Sequence, residues 1–95
     1  MPRRFTDRQL WQLRNEVPFS PLLQRLRWPH KRRDGQLMFV CPNCGESQSD
    51  HNPQENLVRC FHCQTNFNPI DFTMAARDCD FVEAVEYLLS FVDAD

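Results

Sequence analysis

Glycine is nearly missing from this chain, with two in 95 residues. That excludes the glycine-rich loops that cradle phosphates or dinucleotides. Long apolar runs are missing too. The longest, Leu37 to Cys41, is far too short to cross a bilayer. Met1-Pro2-Arg3-Arg4 leads into no hydrophobic signal core, so the expectation is a cytoplasmic chain with no secretory or membrane route. No Ser-His-Asp or Cys-His arrangement has supporting context, and the chain is expected to be non-catalytic. Asp78-Cys79-Asp80 superficially matches a metal-binding Asp-x-Asp, but Asp80 reads better as a helix cap. Ninety-five residues make a single domain, which at this size often needs a staple.

What is present is five cysteines, seven prolines and an uneven distribution of charge. The net charge is -2, but residues 1–40 hold nine Lys+Arg against three Asp+Glu, and residues 41–95 hold two against ten. The N-terminal part suits an anion and the C-terminal part repels one.

The pattern reads as α+β: a small antiparallel zinc-ribbon sheet flanked by N- and C-terminal helices. Residues 1–34 form a helical basic segment, 36–67 the ribbon and 68–92 the C-terminal helices. Thr6 and Gln9 make a capping box before Leu10, Leu13 and Val17, and Pro18 ends that helix. Ser20-Pro21 signals a second cap before Leu22, Leu23 and Leu26. His30 to Gly35 reads as a basic loop closed by an Asp34-Gly35 turn. Gln36 to Val40 is a strand by composition, Glu46 to Asn56 a loop, and Leu57 to Cys60 the returning strand. Asn68-Pro69 starts a helix that runs to about Arg77. Asp80 with Glu83 caps another, with an apolar stripe of Val82, Val85, Leu88, Leu89 and Val92.

Cys41-Pro42-Asn43-Cys44 and Cys60-Phe61-His62-Cys63 are two C-x2-C pairs with fifteen residues between them. That is the spacing of a four-cysteine zinc site. Two cysteines three apart in a tight turn face one point, and two such turns complete the tetrahedron zinc prefers. Disulfides and a redox C-x-x-C are the weaker readings. Four thiolates leave no open position, so the one Zn²⁺ is expected to be structural. His51 and His62 read as solvent-facing, and Cys79 as a reduced, partly buried thiol.

These residues resemble the zinc-binding N-terminal domain of bacterial DnaG-type DNA primases, the CHC2 zinc finger. The resemblance runs from about Phe5 to Val92. Its most specific part is Pro69-Ile70-Asp71-Phe72 followed by Phe81 to Leu88. The family's usual ligands are three Cys and one His, with His where this chain has Cys44. Glu46 to Pro53 also departs from the family's loop after the first cysteine pair. The resemblance implies a replication-priming context. A primase's catalytic domain would be a separate, larger unit.

Two kinds of partner fit. Arg25, Arg27, Trp28, Lys31, Arg32 and Arg33, with His30 beside them and Arg59 in the returning strand, form a cationic set suited to single-stranded DNA. Phe39, Phe61 and Phe67 would add stacking if exposed, although a small domain needs such rings inside. Alternatively, Asp71, Asp78, Asp80, Glu83, Glu86, Asp93 and Asp95 could dock a basic replication protein. A third reading makes the chain a fragment of a longer primase or helicase.

Overall fold

The computed structural model describes residues 5–47 and 49–93. Two helices, α1 (Asp7–Asn15) and α2 (Phe19–Leu26), precede five strands, β1 (His30–Arg33), β2 (Gln36–Phe39), β3 (Ser49–Asn52), β4 (Leu57–Cys60) and β5 (Thr65–Phe67). Two further helices follow, α3 (Pro69–Arg77) and α4 (Phe81–Asp93). The strands form a two-stranded antiparallel hairpin, β1-β2, and a three-stranded antiparallel sheet, β3-β4-β5. None of these helices is long and apolar enough to cross a membrane.

The α1 cap is as the sequence predicts. Thr6 Oγ1 accepts from the Gln9 backbone at 3.0 Å, and Gln9 Oε1 accepts from the Thr6 backbone at 2.9 Å. Asn68 and Asp71 make the same reciprocal pair at the start of α3. Asp80 Oδ1 accepts from the Glu83 backbone at 2.8 Å, starting α4. The start of α2 differs from expectation. Pro18, not Ser20, occupies the cap with an extended backbone, and Ser20 and Pro21 lie inside the first turn. Proline is tolerated there because first-turn N–H groups have no helical partner.

Two corrections concern the strands. Residues 30–33, expected as loop within a helical segment, form β1. Residues 49–52, expected as loop, form β3. Neither His-Lys-Arg-Arg nor Ser-Asp-His-Asn carries an apolar pattern, so each is a strand only through its neighbour. Asp34 (φ 52°) and Gly35 (φ 79°) both take left-handed backbone between β1 and β2, the requirement of a two-residue type I′ turn. The Ser49 side chain is one link between the hairpin and the second sheet. Ser49 Oγ donates to the Phe39 carbonyl at 3.1 Å and accepts from the Phe39 N–H at 3.0 Å.

The core gathers around Phe72 of α3, which is fully buried. Phe19, Trp28, Phe39 and Phe67 each meet its ring edge-to-face, with centroids 5.4–6.0 Å away. Phe39 and Phe67 are therefore packing residues, not stacking platforms for a base. On α4 the buried face is Ala84, Val85 and Leu88, while Val92 is 47 % exposed. The expected stripe is thus rotated toward Ala84. α4 packs against α3 and α1, and a small side chain lets helices approach closely.

His51 is half-buried on β3, not solvent-facing. Its ring meets Phe19 edge-on at 5.7 Å, and its Nε2 is buried without a hydrogen-bond partner. Burial pushes its pKa below 6.5. Arg32 adds to that shift and Asp50 opposes it. Folding therefore releases a proton from His51 at mildly acidic pH. Its contribution to stability is complete above about pH 6.5 and is lost as pH falls through the lowered folded value. In His51→Phe, the drop in melting temperature between about pH 7.5 and 5.5 should shrink, with bound zinc measured alongside. An unchanged drop would refute the assignment.

Asn56, in the turn between β3 and β4, has left-handed backbone (φ 53°) and a buried side chain. Its Nδ2 donates to the carbonyl of Arg14 (3.1 Å), in the last turn of α1, and to that of Val17 (2.8 Å), in the link to α2. Asn56→Ala should cost about 2 kcal/mol in denaturant unfolding, for two lost hydrogen bonds and two stranded acceptors. Asn56→Asp should lose as much, because a carboxylate cannot donate. Full stability in Asn56→Asp would show that the bonds contribute nothing.

Candidate metal centre

The two cysteine turns begin where strands stop. β2 runs through Val40 into Cys41, and β4 ends on Cys60. In the first turn, Gly45 N–H donates to the Cys41 carbonyl at 2.9 Å, and Cys41 N–H donates to the Glu46 carbonyl at 2.8 Å. Asn43 N–H points at Cys41 Sγ, 3.3 Å away. The residue after each second cysteine has left-handed backbone: Gly45 at φ 80° and Gln64 at φ 56°. A Cβ at Gly45 would meet nothing within 4 Å, so this glycine answers to the backbone angle and not to crowding.

Cys41, Cys44, Cys60 and Cys63 bring their four Sγ atoms within 4.8 Å of one another. Between the two turns, Cys41 lies 3.7 Å from Cys63 and Cys44 lies 3.5 Å from Cys60. A tetrahedron with Zn–S bonds of about 2.3 Å has sulfur–sulfur edges of about 3.8 Å. A disulfide would need about 2.05 Å. The donor set therefore fits zinc and not a bridge.

The sulfurs also differ in how they hold protons. Burial pushes the Cys41 thiol up to about 12. The Thr65 hydroxyl, 3.3 Å from Cys63 Sγ, is the main cause that brings Cys63 down to about 6. Four adjacent thiolates repel one another, and a divalent cation is what lets them coexist. Zinc held by four thiolates has no open position, so this is one structural zinc. Thr65, Asn43 and Gln64 were not legible as site residues. The only sequence signal for Thr65 is a hydroxyl two residues after the last ligand.

The three histidines lie outside the sulfur cluster. His62 is exposed, as expected. Nδ1 of His30 donates to the Trp28 carbonyl at 2.6 Å. Cys79 is half-buried, with its sulfur 3.8 Å from the Thr73 carbonyl.

The expected cationic set divides among three places. Lys31, Arg32 and Arg33 are exposed on β1, and Arg27 is exposed at the left-handed end of α2. Arg25 turns its guanidinium toward Phe91 of α4, 5.8 Å from the ring centroid. Arg59 lies near the second cysteine turn. Its Nη1 donates to Asn66 Oδ1 at 3.1 Å, and its guanidinium sits 5.8 Å from the centre of the Phe61 ring. Trp28 is half-buried, with its edge toward Phe72 and its Nε1 donating to the Val40 carbonyl at 2.6 Å. It is tied into the core, which takes much of the ring away from any base. Phe61, at 52 % exposed, is the aromatic of the cysteine turns that does face solvent.

Chelation of the purified protein should release one zinc per chain and abolish the ordered β3-β4-β5 signals, read by metal analysis and amide chemical shifts. Cys60→Ser should reduce bound zinc well below one per chain. Full structure without metal would contradict a structural role.

A search of curated proteins finds no match to this sequence. The family model described as the CHC2 zinc finger, a zinc ribbon of the DnaG type, matches residues 6–95. That span takes in both cysteine turns, the Phe72 core and all four helices, and this chain belongs to the CHC2 zinc finger family.

Proposed function

We propose that this chain is a non-catalytic zinc module that binds single-stranded DNA through its β1-β2 hairpin, in a replication-priming context. The observation that carries the reading is the placement of Lys31, Arg32 and Arg33 in succession on one exposed strand, β1, which pairs with the strand leading into Cys41. Alternate residues on a strand are about 7 Å apart, so the three cations face both sides of a narrow ribbon and can meet successive phosphates. Membership of a DnaG-type zinc family supports the priming context. The exposed Phe61 ring beside Arg59 adds a second place where a base could stack.

The acidic half of the chain gives little support to a protein-docking reading. Asp71 and Asp80 cap helices, and Asp78 ends α3 in left-handed backbone. These are structural uses of charge at helix ends.

Zinc-loaded protein titrated with labelled single-stranded and duplex oligonucleotides tests the reading. Binding should be salt-sensitive and favour the single strand. An Arg32→Ala, Arg33→Ala double variant should weaken it at least about tenfold and flatten its salt dependence by nearly two ions. No binding to either oligonucleotide at low salt would overturn the proposal.

A further inference from the structure

The outer face of the β1-β2 hairpin carries an apolar notch among cations. The register places Lys31 opposite Met38 and Arg33 opposite Gln36, and these four side chains share that face. His30, Arg32, Leu37 and Phe39 take the other face, where Leu37 and Phe39 enter the core. Met38 and Val40 therefore point away from the core, yet both are only half-exposed. With Pro29, Lys31 and Ser47 they line a cavity of about 290 Å³, which His30 and Phe39 also border although the register turns their side chains to the other face.

The floor of this notch is held in place from behind. Val40 N–H donates to the Pro29 carbonyl at 3.1 Å, and the Val40 carbonyl accepts from Trp28 Nε1 at 2.6 Å. Trp28 itself packs against Phe72. A floor fixed in this way loses little freedom when something settles on it.

The chemistry narrows the occupant. The floor is apolar and contains a thioether, which packs well against aromatic rings. Lys31 borders it, and Arg33 follows on the same face about 7 Å along the strand. The ligand is thus a flat ring that carries anions at strand-like spacing. The volume falls at the lower end for ligand pockets, about 300–1,000 Å³, which suits one base and not a helix or a folded partner. Bases in a duplex are stacked and paired, so the base must be an unpaired one.

We propose that this notch seats one unpaired nucleobase of single-stranded DNA against Met38 and Val40, with neighbouring phosphates on Lys31 and Arg33. The proposal rests on the DNA-binding reading above and adds the subsite within it. It also gives Trp28 a role: it positions the Val40 floor and does not itself stack on the base.

The test is methyl NMR of the zinc-loaded wild-type chain, titrated with a short oligothymidylate and with an abasic oligomer of equal length. The abasic oligomer keeps the phosphates and lacks the bases. Oligothymidylate should move the Met38 and Val40 methyl signals upfield through the ring current of the base. The abasic oligomer should bind about tenfold more weakly, the loss of one well-packed contact, and leave those methyls unmoved. Met38→Gln with full zinc content should bind oligothymidylate about tenfold more weakly than the wild type does. Equal binding of the two oligomers, or oligothymidylate binding with both methyls unmoved, would overturn the notch and leave the DNA-binding reading standing. No binding of either oligomer at low salt would overturn both.

Discussion

One ring holds the two halves of this protein together. Phe72 stands on α3, and the rings that meet it come from α2, from the segment before β1, from β2 and from β5. Edge-to-face pairs contribute about 0.5–1.5 kcal/mol each beyond the area they bury. The greater consequence is geometric. Zinc gathers the ends of β2 and β4 but does not reach the helices. Phe72 fixes the faces of the strands that the metal fixes at their ends. The Pro69-Ile70-Asp71-Phe72 segment combines a helix start, capped by Asn68 and Asp71, with the residue at the centre of the core.

What the sequence made legible was local. The Thr6 and Asn68 caps depend on residues three apart, the Asp34-Gly35 turn on two adjacent backbones, and the cysteine turns on a fixed short spacing. Each could be read without knowing where the rest of the chain lies. β1, β3 and β5 could not, because their residues lack an apolar alternation and become strands only through pairing. His51 looked like a loop histidine because nothing near it in sequence announces Phe19. Asn56 was invisible as a cap because the carbonyls it serves lie some forty residues earlier. The cationic set was read as one cluster because its members adjoin in sequence, yet Arg25 turns to α4.

The division of charge along the chain also takes on a spatial meaning. Three of the nine cations in residues 1–40 stand in succession on one exposed strand, β1. Several of the chain's negative charges lie at helix ends, where they satisfy backbone N–H groups. Four thiolates and Zn²⁺ add a further -2 close to the end of β2. The metal centre at the end of β2 thus offsets part of the positive charge that the paired strand β1 carries. Net charge alone would have assigned this chain no anion to bind.

The scarcity of glycine leaves left-handed backbone to Arg27, Asp34, Asn56, Gln64 and Asp78 as well; Arg27 and Asp78 are held by local helix-end hydrogen bonds, and Asn56 by bonds to carbonyls far off in the chain. The junction at Ser49 shows the opposite economy. There one hydroxyl both donates to and accepts from Phe39, beside the cysteine cluster and the Phe72 contacts that also join the two sheets, where a strand-to-strand ladder would have required a continuous register. A ladder transmits any insertion or slip in one strand to every pair beyond it. A single hydroxyl transmits none. The hairpin and the metal ribbon thus each set their own register, and what aligns them is the cysteine cluster at one end and the Phe72 ring on one face.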